Sequence, residues 1–397
     1  MGAAGAGLRL LRPVLRLRGA WPPVRRAGAG GGGAVPIRQR FDRVLLGAAV
    51  LQVAVGLALL ASASWVVARE RYGLPESYFF TWQAATAVVG LGVLVVCMHL
   101  RSELLIEPRL ARIGLGASWL LLAAAFAMPK VANTHRWLSI GGISVQPSVL
   151  ARLAITLFAA IELTAAAREG WTWRRPALLG GISFFTAGLI ILEPDLGSAA
   201  LLLIIVAAMA FVAGIPLRML AIPAAASVVA LIGAILSSPY RLERVRAFLD
   251  PAAGTAAGWQ SYQSLVALGS GGLMGRGYGA GLQKLFFLPE PHTDFIFAIT
   301  GEELGLVGVL LLVGLASVIV WRGLRVAFRL PSPGRSLLAF GLAIGFAAQS
   351  LIHMVVCLAM LPPKGIPLPL VSYGKTDLVV SLMAVGLLLN LSREVAS

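Results

Sequence analysis

Asp294-Phe295-Ile296-Phe297-Ala298-Ile299-Thr300-Gly301-Glu302-Glu303-Leu304-Gly305 opens a stretch that stays apolar to Trp321, and its reading decides the fold. The run is long enough to cross a bilayer, for which about 20 residues suffice. Three carboxylates, Asp294, Glu302 and Glu303, stand in its opening turns. Ionisable groups at a membrane boundary are expensive to place and point to function. The stretch therefore reads as a membrane helix with chemistry at one end.

Runs of the same character lie outward from it, at 44–68, 78–100, 113–129, 148–166, 177–193, 196–213, 218–237, 337–360 and 367–390. The chain of 397 residues is 58% hydrophobic and 13% charged, with a mean hydropathy of +0.86. Soluble domains carry about 25% charged residues. The expected fold is all-α: a polytopic membrane helix bundle of about ten transmembrane helices, with a large external loop, 238–293, before the eighth span. No separate soluble domain is expected.

Orientation follows from the basic residues of the short loops. One side carries Arg101, Arg109, Arg112, Arg168, Arg174, Arg175, Arg218, Arg322, Arg325, Arg329 and Arg335. The other carries only Arg69, Arg71, Lys130, Arg136 and Lys364. This places both termini in the cytoplasm and the 238–293 loop outside. Residues 1–41 form a basic, Gly-rich tail, read as a disordered segment lying on anionic membrane lipid. Its rival reading is an Arg-rich transit peptide, which lacks the expected Ser. No folded basic face suggests nucleic acid. Cys97 and Cys357 fall inside spans and read as packing residues. No Walker or dinucleotide motif and no zinc spacing is present.

Most intramembrane charge gathers toward the outer side: Arg152, Glu193, Asp195, Asp294, Glu302, Glu303, Lys375 and Asp377. Transporters more often hold such groups near the midplane. The bias suggests chemistry on a substrate presented at the outer face. Thr293 or Asp294 is placed to cap the helix that follows. The 238–293 loop contributes Arg244 and Lys284, suited to phosphate. Its glycines, Gly269 to Gly281, read as a mobile, tightly turned segment.

Several motifs carry a resemblance. They are Ser62-Ala63-Ser64, Arg136-Trp137, Gln146-Pro147-Ser148, Glu193-Pro194-Asp195-Leu196-Gly197 and Phe248-Leu249-Asp250-Pro251. To these are added Gln283 to Phe295, Gly301-Glu302-Glu303-Leu304-Gly305, Gly365-Ile366-Pro367-Leu368-Pro369 and Ser372-Tyr373-Gly374. From about 42 to 393 the chain resembles the SEDS family (FtsW/RodA/SpoVE), and it is closer to the division-type FtsW. The resemblance implies a peptidoglycan glycosyltransferase that polymerises lipid II at the outer face of the bacterial cytoplasmic membrane, in division or elongation. It implies a class B penicillin-binding protein and other divisome or elongasome proteins as partners. A lipid II flippase and a non-catalytic regulator of a penicillin-binding protein are the alternative readings.

On this resemblance Asp294 is the catalytic base. Arg136, Arg152, Arg244, Lys284, Glu290, His292, Thr293 and Ser372 would bind substrate, with Glu302, Lys375 and Asp377 in support. No dedicated metal cage is legible, although a diphosphate substrate can bring a divalent cation with it. The chain departs from the family pattern in two places. Val149 stands where an acid is usual, three residues before Arg152, and Gly374-Lys375-Thr376-Asp377 replaces a Gly-Gly-Ser-Ser run. A cation left alone in a dry site is costly. The two changes together predict that Arg152 pairs with Asp377, with Lys375 nearby.

Overall fold

The computed structural model describes residues 41–129, 134–140, 143–249 and 256–395. Lys130, Asp250 and the 1–40 segment, each used in the sequence reading, lie outside them. The helices are α1 (Arg43–Val66), α2 (Tyr78–His99), α3 (Pro108–Ala125), α4 (Pro147–Glu169), α5 (Arg174–Leu192), α6 (Leu196–Ala213) and α7 (Leu217–Leu236). They continue with α8 (Pro239–Leu249), α9 (Ala256–Ser270), α10 (Ile296–Arg329), α11 (Pro333–Cys357) and α12 (Lys375–Ser392). A short antiparallel hairpin, β1 (Leu138–Ile140) with β2 (Ile143–Val145), pairs Leu138 with Val145.

Nine described helices are long and apolar enough to cross a membrane. The remaining expected span falls on α3, whose first turns carry Arg109 and Arg112 and dilute its apolar character. The hairpin is an addition to the all-α expectation, in the connection between α3 and α4. Nor is the 238–293 segment simply a loop, because it contains α8 and α9.

Small residues let the helices approach closely, as membrane packing requires. A Cβ added at Gly386 of α12 would lie 2.6 Å from the Leu94 carbonyl of α2. The two ends of the described chain meet: the Asp42 N–H donates to Ser392 Oγ at 3.0 Å, and Arg322 at the far end of α10 pairs with Asp42. Both therefore lie at the end of the bundle opposite the start of α10.

The expected span 294–321 is two pieces. Gly305 adopts φ 65, ψ −159, a conformation that side chains disfavour, and breaks α10. The broken ladder is repaired by the glycine-rich segment after α9. Arg276 N–H and Gly277 N–H donate to the Glu302 and Glu303 carbonyls, both at 3.0 Å, and Leu306 N–H donates to the Gly272 carbonyl at 3.0 Å. A Cβ on Gly275 would sit 2.1 Å from the Glu303 carbonyl. These glycines read from sequence as a mobile loop; they are instead the means by which two backbones touch. Residues from Ile296 to Glu303 form a short helix buried on all sides.

A second irregular segment, 358–374, joins α11 to α12. Ile366, Leu368, Leu370 and Val371 are buried. Its backbone groups must then be satisfied by protein. Gln52 of α1 donates to Pro369 O at 3.1 Å, Gln83 of α2 to Ser372 O at 3.0 Å, and Gln349 of α11 to Pro367 O at 2.9 Å. Three buried glutamines thus hold the strap from three helices. The strap also corrects one expectation: of the 367–390 run, helix α12 takes up only the part from Lys375, so Lys375 and Asp377 occupy its first turn.

Candidate active site

Asp294 lies just before α10, half-buried. The N-cap of α10 is Phe295, with no side-chain cap bond, so neither Thr293 nor Asp294 serves as the expected cap. The preceding turn is held by Asp294 N–H to Glu290 O at 3.1 Å. Ser372 of the strap donates to Thr293 O at 2.7 Å, and Tyr373 N–H donates to His292 O at 3.0 Å. The strap and the turn before α10 are thereby tied backbone to backbone. The Asp294 carboxylate faces the exposed Gly365 of the strap, where an added Cβ would stand 3.4 Å from Oδ2. A side chain there would crowd the carboxylate.

Beneath this turn His292 is 2% exposed, with its ring 4.6 Å from Phe79 and 5.7 Å from Tyr373. Burial, with Arg71 adding to it, depresses its pKa to about 4, so the ring is neutral at physiological pH. It is a packing wedge beneath Asp294. Glu290 pairs with Arg71 at 2.8 Å on the exposed side.

Enclosure of the Asp294 carboxylate, with Glu290 as a negative neighbour, pushes its pKa up to about 7; Arg244, Thr293 and Arg136 pull the other way. Both arginines are fixed by backbone carbonyls. Arg244 Nη1 donates to Pro363 O at 2.8 Å, and Arg136 Nε donates to Glu193 O at 3.2 Å, with a further bond to Pro194 O. Lys364, adjoining Gly365, has its pKa lowered by burial, with Asp195 opposing. Asp294 is so a carboxylate near neutrality beside two fixed arginines, Arg244 and Arg136, with Lys364 following in the strap. Leu285, Phe286 and Phe287, each 40% exposed or more, lie just before this turn in the chain.

Two of the expected substrate cations are engaged elsewhere. Lys284 is 1% exposed. Its ammonium meets Glu303 Oε1 at 2.6 Å, Ser62 Oγ at 2.9 Å and Gly279 O at 2.8 Å. Glu302 in turn accepts from Leu282 N–H at 2.8 Å and Gln283 N–H at 3.1 Å. Arg152 Nη2 meets Asp377 Oδ1 at 3.2 Å, both largely buried, so the pair expected from the two departures is present. Gln349 also donates to both Asp377 oxygens, at 2.9 and 3.0 Å. The same glutamine that holds the strap is thus bound to that pair. Lys375 does not join it; its ammonium lies 4.2 Å from the centre of the Trp82 ring.

Three contributors escaped the sequence reading. Gln52, Gln83 and Gln349 looked like scattered polar residues inside apolar runs. A buried amide among apolar residues needs a partner, and that was the available signal. Glu193 was read among the outer charges but not as a site residue. It is 0% exposed, with neither side-chain oxygen hydrogen-bonded. Burial, then Asp195, raises its pKa to about 8, while Arg136 opposes. Among the described residues no three of His, Cys, Asp and Glu converge as a metal cage.

Residues 42–397 match the model of the family described as cell cycle protein, FtsW/RodA/SpoVE. The chain is 37% identical over 377 residues to the probable peptidoglycan glycosyltransferase FtsW of Thioalkalivibrio sp. (strain K90mix), covering 90% of this chain and 91% of that one. It is 36% identical over 359 residues to stage V sporulation protein E of Bacillus subtilis, covering 89% and 97%. Among solved structures it is similar to a chain of a peptidoglycan synthase complex, with a TM-score of 0.72, 30% identity and coverage of 89% and 98%. It is also similar to the rod shape determining protein RodA of Thermus thermophilus, with a TM-score of 0.65, 28% identity and coverage of 89% and 97%.

Proposed function

Since this chain belongs to the FtsW/RodA/SpoVE family of cell cycle proteins, we propose that it is a peptidoglycan glycosyltransferase that polymerises lipid II, with Asp294 as its general base. The observation that carries this reading is a half-buried carboxylate at an exposed glycine, with a pKa brought near neutral and two arginines held nearby by backbone carbonyls. A base is most effective when its pKa lies near the working pH. The Asp294 carboxylate takes the proton from a sugar 4-hydroxyl as that oxygen forms its bond to the anomeric carbon of a second sugar. The bond from that carbon to the lipid diphosphate breaks, and the diphosphate leaves with the electron pair. Arg136, Arg244 and Lys364 stabilise the negative charge of the leaving group, as preorganised cations do. The open side at Gly365 admits the hydroxyl. The exposed Leu285, Phe286 and Phe287 offer an apolar path for the polyprenyl chain.

The site end of the bundle faces outward and both termini face the cytoplasm, as the loop arginines indicate. A class B penicillin-binding protein receives the strands. The likeness to a chain of a peptidoglycan synthase complex supports that partner. Arg152 and Asp377 support the strap rather than touch substrate, and Lys284 anchors the approach to Asp294.

The test incubates the purified protein, with a transpeptidase-silenced class B partner, with labelled lipid II. Wild type and Asp294→Asn are compared on a gel. Long glycan from wild type alone is expected. Equal product from both would remove Asp294 from the mechanism. No product from either, beside a working polymerase control, would favour lipid transport or a scaffold.

A further inference from the structure

At the end of the bundle opposite Asp294, the start of α1, the last turns of α10 and the end of α12 enclose a cavity of about 250 Å³. Four guanidinium groups line it: Arg43, Arg322, Arg325 and Arg329. Its one acid, Asp42, is already engaged. Asp42 Oδ2 accepts Arg322 Nε at 2.6 Å and Nη2 at 2.5 Å. Its Oδ1 caps α1 through Val44 N–H at 3.1 Å and Leu45 N–H at 3.0 Å. Asp42 and Arg322 thus form a neutral floor, and Arg43, Arg325 and Arg329 give the cavity a net positive charge. The rest of the lining, Phe41, Val44, Val326 and Val395 with Ser392, is largely apolar.

The surroundings are equally particular. Trp321 is 58% exposed, Val44 52% and Phe328 37%, all on the helices that frame the cavity. Arg325 lies 5.8 Å from the centre of the Trp321 ring. Aromatic residues beside basic ones mark the level where headgroups meet acyl chains. The segment before Phe41 is no candidate to fill the cavity, because residues 1–40 hold eight Arg and no acid. An anion fits the charge, and an anion carrying apolar chains fits the flanks.

We propose that this cavity binds the phosphodiester headgroup of an anionic phospholipid, whose acyl chains run along Val44, Trp321 and Phe328. The arginines supply charge-assisted hydrogen bonds to the phosphate oxygens. The site is separate from the substrate site, since the two sit at opposite ends of α10. It would tie the far end of that helix, and the closure between Asp42 and Ser392, to the composition of the bilayer.

The test uses full-length protein in detergent, titrated with phosphatidylglycerol, phosphatidylcholine or inorganic phosphate and followed by native mass spectrometry. Wild type should retain phosphatidylglycerol in preference to phosphatidylcholine. At about one kcal/mol for each basic residue near anionic lipid, Arg325→Gln with Arg329→Gln should weaken retention by roughly tenfold or more. Arg325→Lys with Arg329→Lys should keep most of it, which separates lost charge from lost fold. The exposed pair Arg168→Gln with Arg174→Gln, in another loop of the same side, should change it by less than about twofold. Equal retention by wild type and the double Gln variant would overturn the proposal. So would displacement of the lipid by inorganic phosphate at equal concentration, since that would make the cavity a free-anion site.

Discussion

Asp294 and Glu303 stand at the two ends of one short buried helix, and their surroundings differ in kind. Glu303 is 0% exposed, and its charge is consumed by Lys284, Ser62 and the Gly279 N–H. Asp294 is half-buried beside an exposed glycine, with cations fixed nearby by carbonyl groups and a pKa brought to about 7. A carboxylate in close contact with one ammonium is part of the scaffold. A carboxylate held near neutrality at an open face is available for proton transfer. The same stretch of chain thus supplies a strut and the carboxylate proposed as the base.

The largest effect should come from removing the proposed base. Asp294→Asn should lower the polymerisation rate by about 10²–10⁴-fold, the usual worth of a positioned base. The fold should not suffer. The carboxylate has a folded pKa near 7 against 3.8 for the free group, so its ionisation opposes folding increasingly as pH rises from about 4 to about 7. The Asn variant should therefore gain thermal stability relative to wild type between pH 5 and pH 8. A rate loss accompanied by a lower melting temperature at pH 8 would mean that Asp294 is scaffold too.

Glu303→Gln should do the reverse. It leaves the Lys284 ammonium buried without its counter-ion, which costs about 3–5 kcal/mol. Lys284→Met should destabilise by a similar amount for the same reason. The double variant should be less damaged than the two losses added, since no lone charge remains. Urea or thermal melts of the four proteins test this. Strict additivity would show that the pair is not coupled and would dissolve the contrast with Asp294.

The Arg152–Asp377 pair lies between these extremes, and it shows what the sequence could and could not reveal. It was legible because two departures from one pattern compensate: an acid missing at Val149 and an acid present at Asp377. The membrane bundle was legible because long apolar runs have few other uses. The Gly305 break was not, because its cause is a backbone in another segment, Gly271 to Gly277. The role of Lys284 was not, because whether a cation in a glycine-rich stretch meets a phosphate or a buried glutamate depends on tertiary packing. The three strap-holding glutamines lie on three helices, and nothing local links them. Asp377→Ala should cost about 2 kcal/mol, less than Glu303→Gln, because Arg152 keeps 13% exposure and some access to water. Arg152→Gln with Asp377→Asn should recover part of it. Because Gln349 joins Asp377 to Pro367 O, the single variant should also reduce kcat through the strap while leaving KM nearly unchanged.

The smallest expected effect sharpens the comparison most, because only a titrating base can produce it. If Asp294 must be ionised to act, kcat/KM should rise with pH through about 7. Burial is the larger cause of that raised value and Glu290 the lesser. Glu290→Gln removes a negative neighbour, so the limb should move to lower pH. The move should be less than about one unit, because Arg71 already offsets part of the Glu290 charge at the exposed side. Arg244→Gln removes a positive neighbour and should move the limb to higher pH, with a lower maximum if Arg244 also meets the leaving group. Opposite displacements from two residues, neither of them the base, would identify Asp294 as the group that titrates. If the limb stays fixed in both variants while the maximum falls, the pH dependence belongs to another group. Glu193, whose pKa of about 8 has burial as its first cause, is then the carboxylate to replace.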